Sequence, residues 1–198
     1  SADQVAAAIN SALATTTVQG ANVDSTPEIQ ALANAYGRIL VDSNPVLQDY
    51  QLIGVTLGSI ATNTNAFGLY NTAVQAALPD AVDTIVELNA LSSITNRLAL
   101  TAQGATASPA LTSADMALLG LTGVSDTNLS RVLAAIDRTA DDLSGINSLA
   151  KVQAIIDAVN SALGIITAYA ANNGGTAPTE DTFALAGISG VTATNLEA

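Results

Sequence analysis

Apolar residues recur along this chain every three or four positions, the spacing of one helix face. Val5, Ile9, Ala12 and Leu13 predict a helix over residues 2–13. The polar, β-branched stretch 15–22 contains Gly20 and reads as a loop, with short strands left open around 14–23. Ser25-Thr26-Pro27-Glu28 then supplies a hydroxyl cap, a first-turn proline and an early acid, the grammar of a helix start. The helix that follows carries Ile29, Leu32, Ala33, Tyr36, Ile39 and Leu40 on one face and stops before Asn44-Pro45.

Pro45 opens a short helix with Tyr50 and Leu52 that ends at Gly54. A medium helix with Phe67, Tyr70, Val74 and Ala77 closes near Pro79. A long one over 80–100 carries Val82, Ile85, Val86, Leu88, Leu91, Ile94 and Leu98. The same order then returns. Pro109 leads a short helix to Gly120, and Ser125 caps a medium helix with Leu129, Val132, Leu133 and Ile136. A long helix over 149–171 holds Val152, Ile155, Ile156, Val159, Leu163, Ile166 and Tyr169. Pro178 starts a third short helix that ends at Gly187, and Thr192 begins its successor.

Gly54, Gly120 and Gly187 lie 66 and 67 residues apart, each inside one phrase. The phrase is a bulky residue (Tyr50, Met116, Phe183), a leucine (Leu52, Leu118, Leu185), the glycine, and an aliphatic residue (Val55, Leu121, Ile188). Glycine suits the left-handed conformation that ends a helix, and the aliphatic residue can fold back on the helix it leaves. Ala8-Ile9-Asn10-Ser11-Ala12-Leu13 also echoes 158–163. The predicted fold is all-α: stacked helical repeats of about 66 residues forming a bundle or short solenoid. Residues 1–44 would end a preceding repeat, 45–108 and 109–177 would be two repeats, and 178–198 the start of a third. With no initiating Met and a last helix scarcely begun, the chain is expected to be a fragment of a longer polypeptide.

Alanine dominates the 49% apolar content and six residues are aromatic, so the core is expected to be thin and its helices closely packed. The 17 acids outnumber the five bases (Arg38, Arg97, Arg131, Arg138 and Lys151), for a net charge of −12. Five scattered cations make no basic footprint, so neither nucleic acid nor an anionic membrane is an expected partner. No apolar run is read as reaching the roughly 18 residues of a spanning helix, so no membrane insertion is expected.

Cysteine and histidine are absent from the sequence. That removes disulfides, thiolate metal sites and Ser–His–Asp or Cys–His catalysis. A Ser–Lys arrangement would need Lys151, which falls on a solvated helix face. The acidic pairs Asp141-Asp142 and Glu180-Asp181 sit near predicted helix ends, where capping explains them. No segment matches a calcium loop, although weak calcium binding remains open. Asn172-Asn173-Gly174-Gly175 lacks the lysine of a phosphate loop. Asn128 and Asn195, in recurring Thr-Asn-Leu, would satisfy backbone groups at helix starts. No catalytic, cofactor-binding or metal-ligating residue is expected.

Gly120-Leu-Thr-Gly-Val-Ser-Asp-Thr-Asn-Leu129 and Gly187-Ile-Ser-Gly-Val-Thr-Ala-Thr-Asn-Leu196 precede or follow Ala-rich helices. Together they resemble the Ala/Thr-rich helical repeats of very large secreted bacterial surface proteins of the adhesin-like or biofilm-associated kind. The resemblance covers 109–198 well, 45–100 loosely and the first 44 residues poorly. It implies a non-enzymatic spacer or interaction module, secreted or on the bacterial cell surface. Its partners would be neighbouring repeats of the same polypeptide, with room for a cell-surface or matrix component. A self-assembling surface-layer protein and a small-molecule-binding bundle are the alternatives.

Overall fold

The computed structural model describes residues 25–41, 45–172 and 175–196, together with Ala6 and Asn10, which are helical. The rest of the helix expected over 2–13, and the loop or strands around 14–23, lie outside the described residues. Among the described residues there are nine α-helices and no strand. The chain is all-α, as its 3.6-residue periodicity requires. The helices are α1 (Thr26–Leu40), α2 (Leu47–Leu52), α3 (Thr64–Ala76), α4 (Ile85–Ala102), α5 (Ser113–Leu118), α6 (Leu129–Asp137), α7 (Leu149–Asn172), α8 (Glu180–Leu185) and α9 (Ala193–Leu196).

Helix starts are set by reciprocal capping. Glu28 accepts the Ser25 N–H and hydroxyl at the head of α1, 3.0 and 2.7 Å away. Thr84 and Glu87 do the same for α4, and Thr112 and Asp115 for α5. Each box satisfies two of the orphaned N–H groups that every helix start carries. The Thr84 box also corrects the expected start of the long helix at residue 80. Pro79–Ala81 makes a separate 3-10 turn, and α4 begins at Ile85, beyond the cap.

Elements close in sequence pack on one another. Helix α1 lies on α2 and α3, α3 on α4, α4 on α5 and α6, α6 on α7, and α7 on α8, with a further contact between α3 and α7. One continuous apolar core runs from Leu32 to Val159, linking α1 to α7. It is less thin at its N-terminal end than composition implies. Tyr36, Tyr50 and Tyr70 are fully buried there. The Tyr50 ring meets Tyr70 and Phe67 edge-on at 5.0 and 6.0 Å, each such pair adding about 0.5–1.5 kcal/mol beyond area burial.

The reading that no apolar run reaches spanning length is corrected for one helix. By length and composition, Leu149–Ala171 is apolar enough to cross a membrane, with a mean hydropathy of 1.5. In this fold its stripe Val152, Ile156, Val159 and Ala162 is buried in the core. Lys151, Asp157 and scattered polar residues interrupt the run without lowering its mean below that of a spanning helix.

Candidate interaction site: glycine turns held by amide clamps

The recurring glycines end three helices with one geometry. The φ angles of Gly54, Gly120 and Gly187 are 88°, 84° and 72°. In each, the N–H of the residue after the glycine donates to the carbonyl of the bulky residue: Val55 to Tyr50 at 2.9 Å, Leu121 to Met116 at 3.0 Å, and Ile188 to Phe183 at 2.9 Å. The glycine N–H donates to the carbonyl three residues back, that of Gln51, Ala117 or Ala184. This is the Schellman closure, and it explains the phrase. The bulky residue and the aliphatic residue flank a closed loop that needs a positive φ between them, which a residue with a Cβ adopts at a cost.

Tyr50 and Met116 are fully buried, and Phe183 is half-buried. The phrase's leucines lie elsewhere. Leu52, Leu118 and Leu185 are 37%, 62% and 42% exposed. The residue after each leucine is the inward one: Ile53, Leu119 and Ala186 are all buried. A short helix in its final turn points just one of two adjacent positions at the core. The periodicity of six residues was too short to say which.

Beyond the glycine, the chain is gripped from the side by amides of the long helix. Asn89 of α4 accepts the Thr56 N–H at 2.7 Å, and Asn96, two turns on, donates to the Leu57 carbonyl at 2.8 Å. In α7, Gln153 accepts the Thr122 N–H at 2.9 Å, and Asn160 donates to the Gly123 carbonyl at 2.9 Å. Asn89 corresponds to Gln153 and Asn96 to Asn160, both at an offset of 64 residues. Each clamp pairs backbone groups that would otherwise be orphaned in a turn packed on a helix. Ser92 reinforces the first clamp by donating to the Thr56 carbonyl at 2.6 Å.

The next turn is also duplicated. Asn128 accepts the Ser125 N–H and donates to Gly123, at 2.7 and 2.8 Å. Asn195 does the same with Thr192 and Gly190, at the same two distances. The asparagine expectation is thus located: each amide closes the loop that opens the medium helix. Asn128 also donates to Asn160 at 2.7 Å, tying this loop to the clamp.

Arginine joins the long helices to the short ones. Arg97 of α4 makes a two-pronged bond to Asp115 at 3.0 and 2.9 Å, with both side chains largely shielded. Arg38 of α1 pairs with the buried Asp49 in α2. The Arg97 bonds, with those of Thr112, hold the Asp115 carboxyl below the usual carboxylate range. Burial alone would raise Asp49, but bonds from Arg38 and the Val46 N–H outweigh it and hold it low. At the third turn both partners change together. Thr182 occupies the acid's position, and Ser161, at the same 64-residue offset, occupies the arginine's.

Among the described residues no three His, Cys, Asp or Glu side chains gather as a metal site. A hollow between Ala77, Ala90, Leu91 and Leu118 holds about 90 Å³, and three shallow surface depressions, beside Thr179 and Leu196, Arg138 and Leu185, and Ala33 and Val41, hold about 340 Å³ each. Lys151 donates to the Ser144 carbonyl at 2.8 Å. Asp142 accepts the Ser144 N–H at 2.8 Å, so it closes a turn. Glu180 and Asp181 lie in the first turn of α8, as expected. Neither protein-family models, curated proteins nor solved structures give a match to this chain.

Proposed function

We propose that this chain is a non-enzymatic structural spacer or interaction module, built of stacked helical repeats, within a long extracellular bacterial surface protein. The observation that carries the reading is the duplication of turn and clamp together. The same Schellman closure is gripped by the same pair of amide positions in two places, so tertiary contacts as well as local phrases recur. A unit that repeats its contacts with its neighbour extends by addition, which is what a spacer requires. The net charge of −12 keeps such an array soluble and discourages self-association.

The repeat reading is tested by removing one period. Deleting residues 55–120 joins Gly54 to Leu121 in phase and leaves α1, α2 and α6–α9. The shortened chain should stay helical, melt cooperatively and show a smaller longest dimension in small-angle scattering. An unfolded product would refute interchangeable units. The surface location is tested by protease shaving of intact cells of the source organism. Peptides of this chain should be released, and their confinement to the cytosolic fraction would overturn that part.

A further inference from the structure

The C-terminal half of α7 carries an apolar seat that its counterpart in α4 has filled. At the 64-residue offset, Ala99 and Ala102 of α4 correspond to Leu163 and Ile166 of α7. The alanines are buried, at 1% and 0% exposure, whereas the larger Leu163 and Ile166 are half-buried, Leu163 packing on the edge of the core. Ile165 is also half-buried, and Tyr169 is 36% exposed.

Helix α6 attends the end of α4. Gln103 donates to the Asp141 carbonyl at 3.2 Å, and a Cβ on Gly104 would stand 3.6 Å from the Asp137 carboxylate. Helix α6 brings Val132, Ala135 and Ile136 to the core. Its lead-in is the Ser125–Asn128 turn, whose hydrogen bonds the Thr192–Asn195 turn reproduces at α9. Leu196 therefore stands where Leu129 stands, but with 38% of its surface exposed.

We propose that Leu163, Ile166 and Tyr169 form a docking seat for one kind of occupant: an amphipathic helix of the α6 pattern, led in register from α9. The internal duplicate identifies that occupant. The lead-in is built, the first apolar residue is in place, and Ile166 and Tyr169 on the face it would meet are left partly open. The seat rests on the repeat reading but fails separately from it, because its test keeps the full chain and reads α7 at Tyr169, whereas the deletion of residues 55–120 reads the loss of a unit.

The test extends the full chain. Leu196-Glu197-Ala198 matches Leu129-Ser130-Arg131 in register, so a copy of segment 132–138 placed after Ala198 continues the helix in phase. Tyr169 is the reporter, because Tyr36, Tyr50 and Tyr70 are fully buried and the added segment contains no tyrosine. Acrylamide quenching of tyrosine fluorescence should fall on extension, and amide exchange over 163–171 should slow by about tenfold or more. The same extension with aspartate at the positions copied from Val132 and Ile136 should change neither. Ile166→Asp should abolish the protection in the extended chain, while the unextended variant stays helical by far-UV circular dichroism. An apolar extension that leaves quenching and exchange as they were would overturn the seat. Equal protection from the aspartate extension would do the same.

Discussion

Removing the Asp115 carboxylate should be among the most damaging single changes outside the apolar core. In Asp115→Ala the N–H and hydroxyl of Thr112 lose their acceptor, and loss of such a cap costs about 1 kcal/mol. Arg97 loses both charged bonds while keeping 11% side-chain exposure, so its guanidinium is left shielded, without a counter-ion, and bonded to the Ala110 carbonyl at 3.1 Å. Hydrogen bonds to charged groups are worth about 1.5–3 kcal/mol in such settings. The two losses overlap, since one carboxylate serves both, so the expected total is about 2–3 kcal/mol. For a chain of this size that lowers the melting temperature by about 5–10 °C, read by far-UV circular dichroism at pH 7. Arg97→Met, paired with Asp115→Ala in a double-mutant cycle, should show coupling of about 1 kcal/mol or more. The carboxyl's folded value is depressed, so its contribution is present above the unfolded carboxylate value, near pH 4, and is lost as pH falls through the folded value. The gap between native and variant should therefore close on acidification. A variant within about 0.5 kcal/mol of the native protein at pH 7, or a gap that does not narrow in acid, would refute the argument.

Four further outcomes follow from named contacts. Gly120→Ala meets no atom within 4 Å, so its cost is conformational alone, about 1 kcal/mol at a φ of 84°; Gly120→Val should cost more, and equal melting temperatures for all three proteins would contradict the turn. Tyr36→Phe removes a buried hydroxyl that has no partner among the described residues and should raise stability by up to about 1 kcal/mol in denaturant titration; a loss of that size would reveal a bond to that hydroxyl. Burial and the neighbouring Glu87 raise the Asp83 carboxyl, so its charged form opposes folding as pH climbs through the raised value. Asp83→Asn should accordingly stabilise at pH 7 and lose that advantage in acid; a pH-independent effect counts against the cause. Finally, Ser161→Arg with Thr182→Asp should import the Arg97–Asp115 latch into the third turn. The pair together should protect the α8 amides from exchange and neither alone should; additive effects would argue against a shared contact.

How much of this was legible in the sequence depends on the range of the contact. The glycine phrase is a local closure spanning six residues, so its purpose could be read from Tyr50, Gly54 and Val55 alone, and the fold-back of Val55 was foreseen. Helix existence followed from apolar spacing for the same reason. The exposure of Leu52, Leu118 and Leu185 was hidden because a one-turn helix gives too few positions to fix its inward face. The clamps were hidden for a different reason. Asn89 and Asn96 read as ordinary solvent-facing amides, and their match to Gln153 and Asn160 appears at an offset of 64 residues, whereas the glycines repeat at 66 and 67. A loop of altered length separates the two registers, so a single period does not reveal both. Arg38–Asp49 and Arg97–Asp115 are separated by 11 and 18 residues. That variable spacing looks like scatter until the helices are placed side by side. The medium helices diverge most: Asn63 caps α3 directly, whereas Asn128 closes the loop before α6. The first unit therefore reproduces the turn and the clamp more faithfully than the helix between them.

The central claim is that turn and clamp recur as one rigid arrangement, and an experimentally determined structure tests it by a single superposition. The rotation that lays residues 46–57 onto 112–123 should also lay Asn89 and Asn96 onto Gln153 and Asn160, with the four clamp bonds preserved. If the short segments overlay while the same rotation leaves the amides of α4 and α7 pointing at unrelated backbone, the likeness is a shared turn and nothing is stacked by repetition.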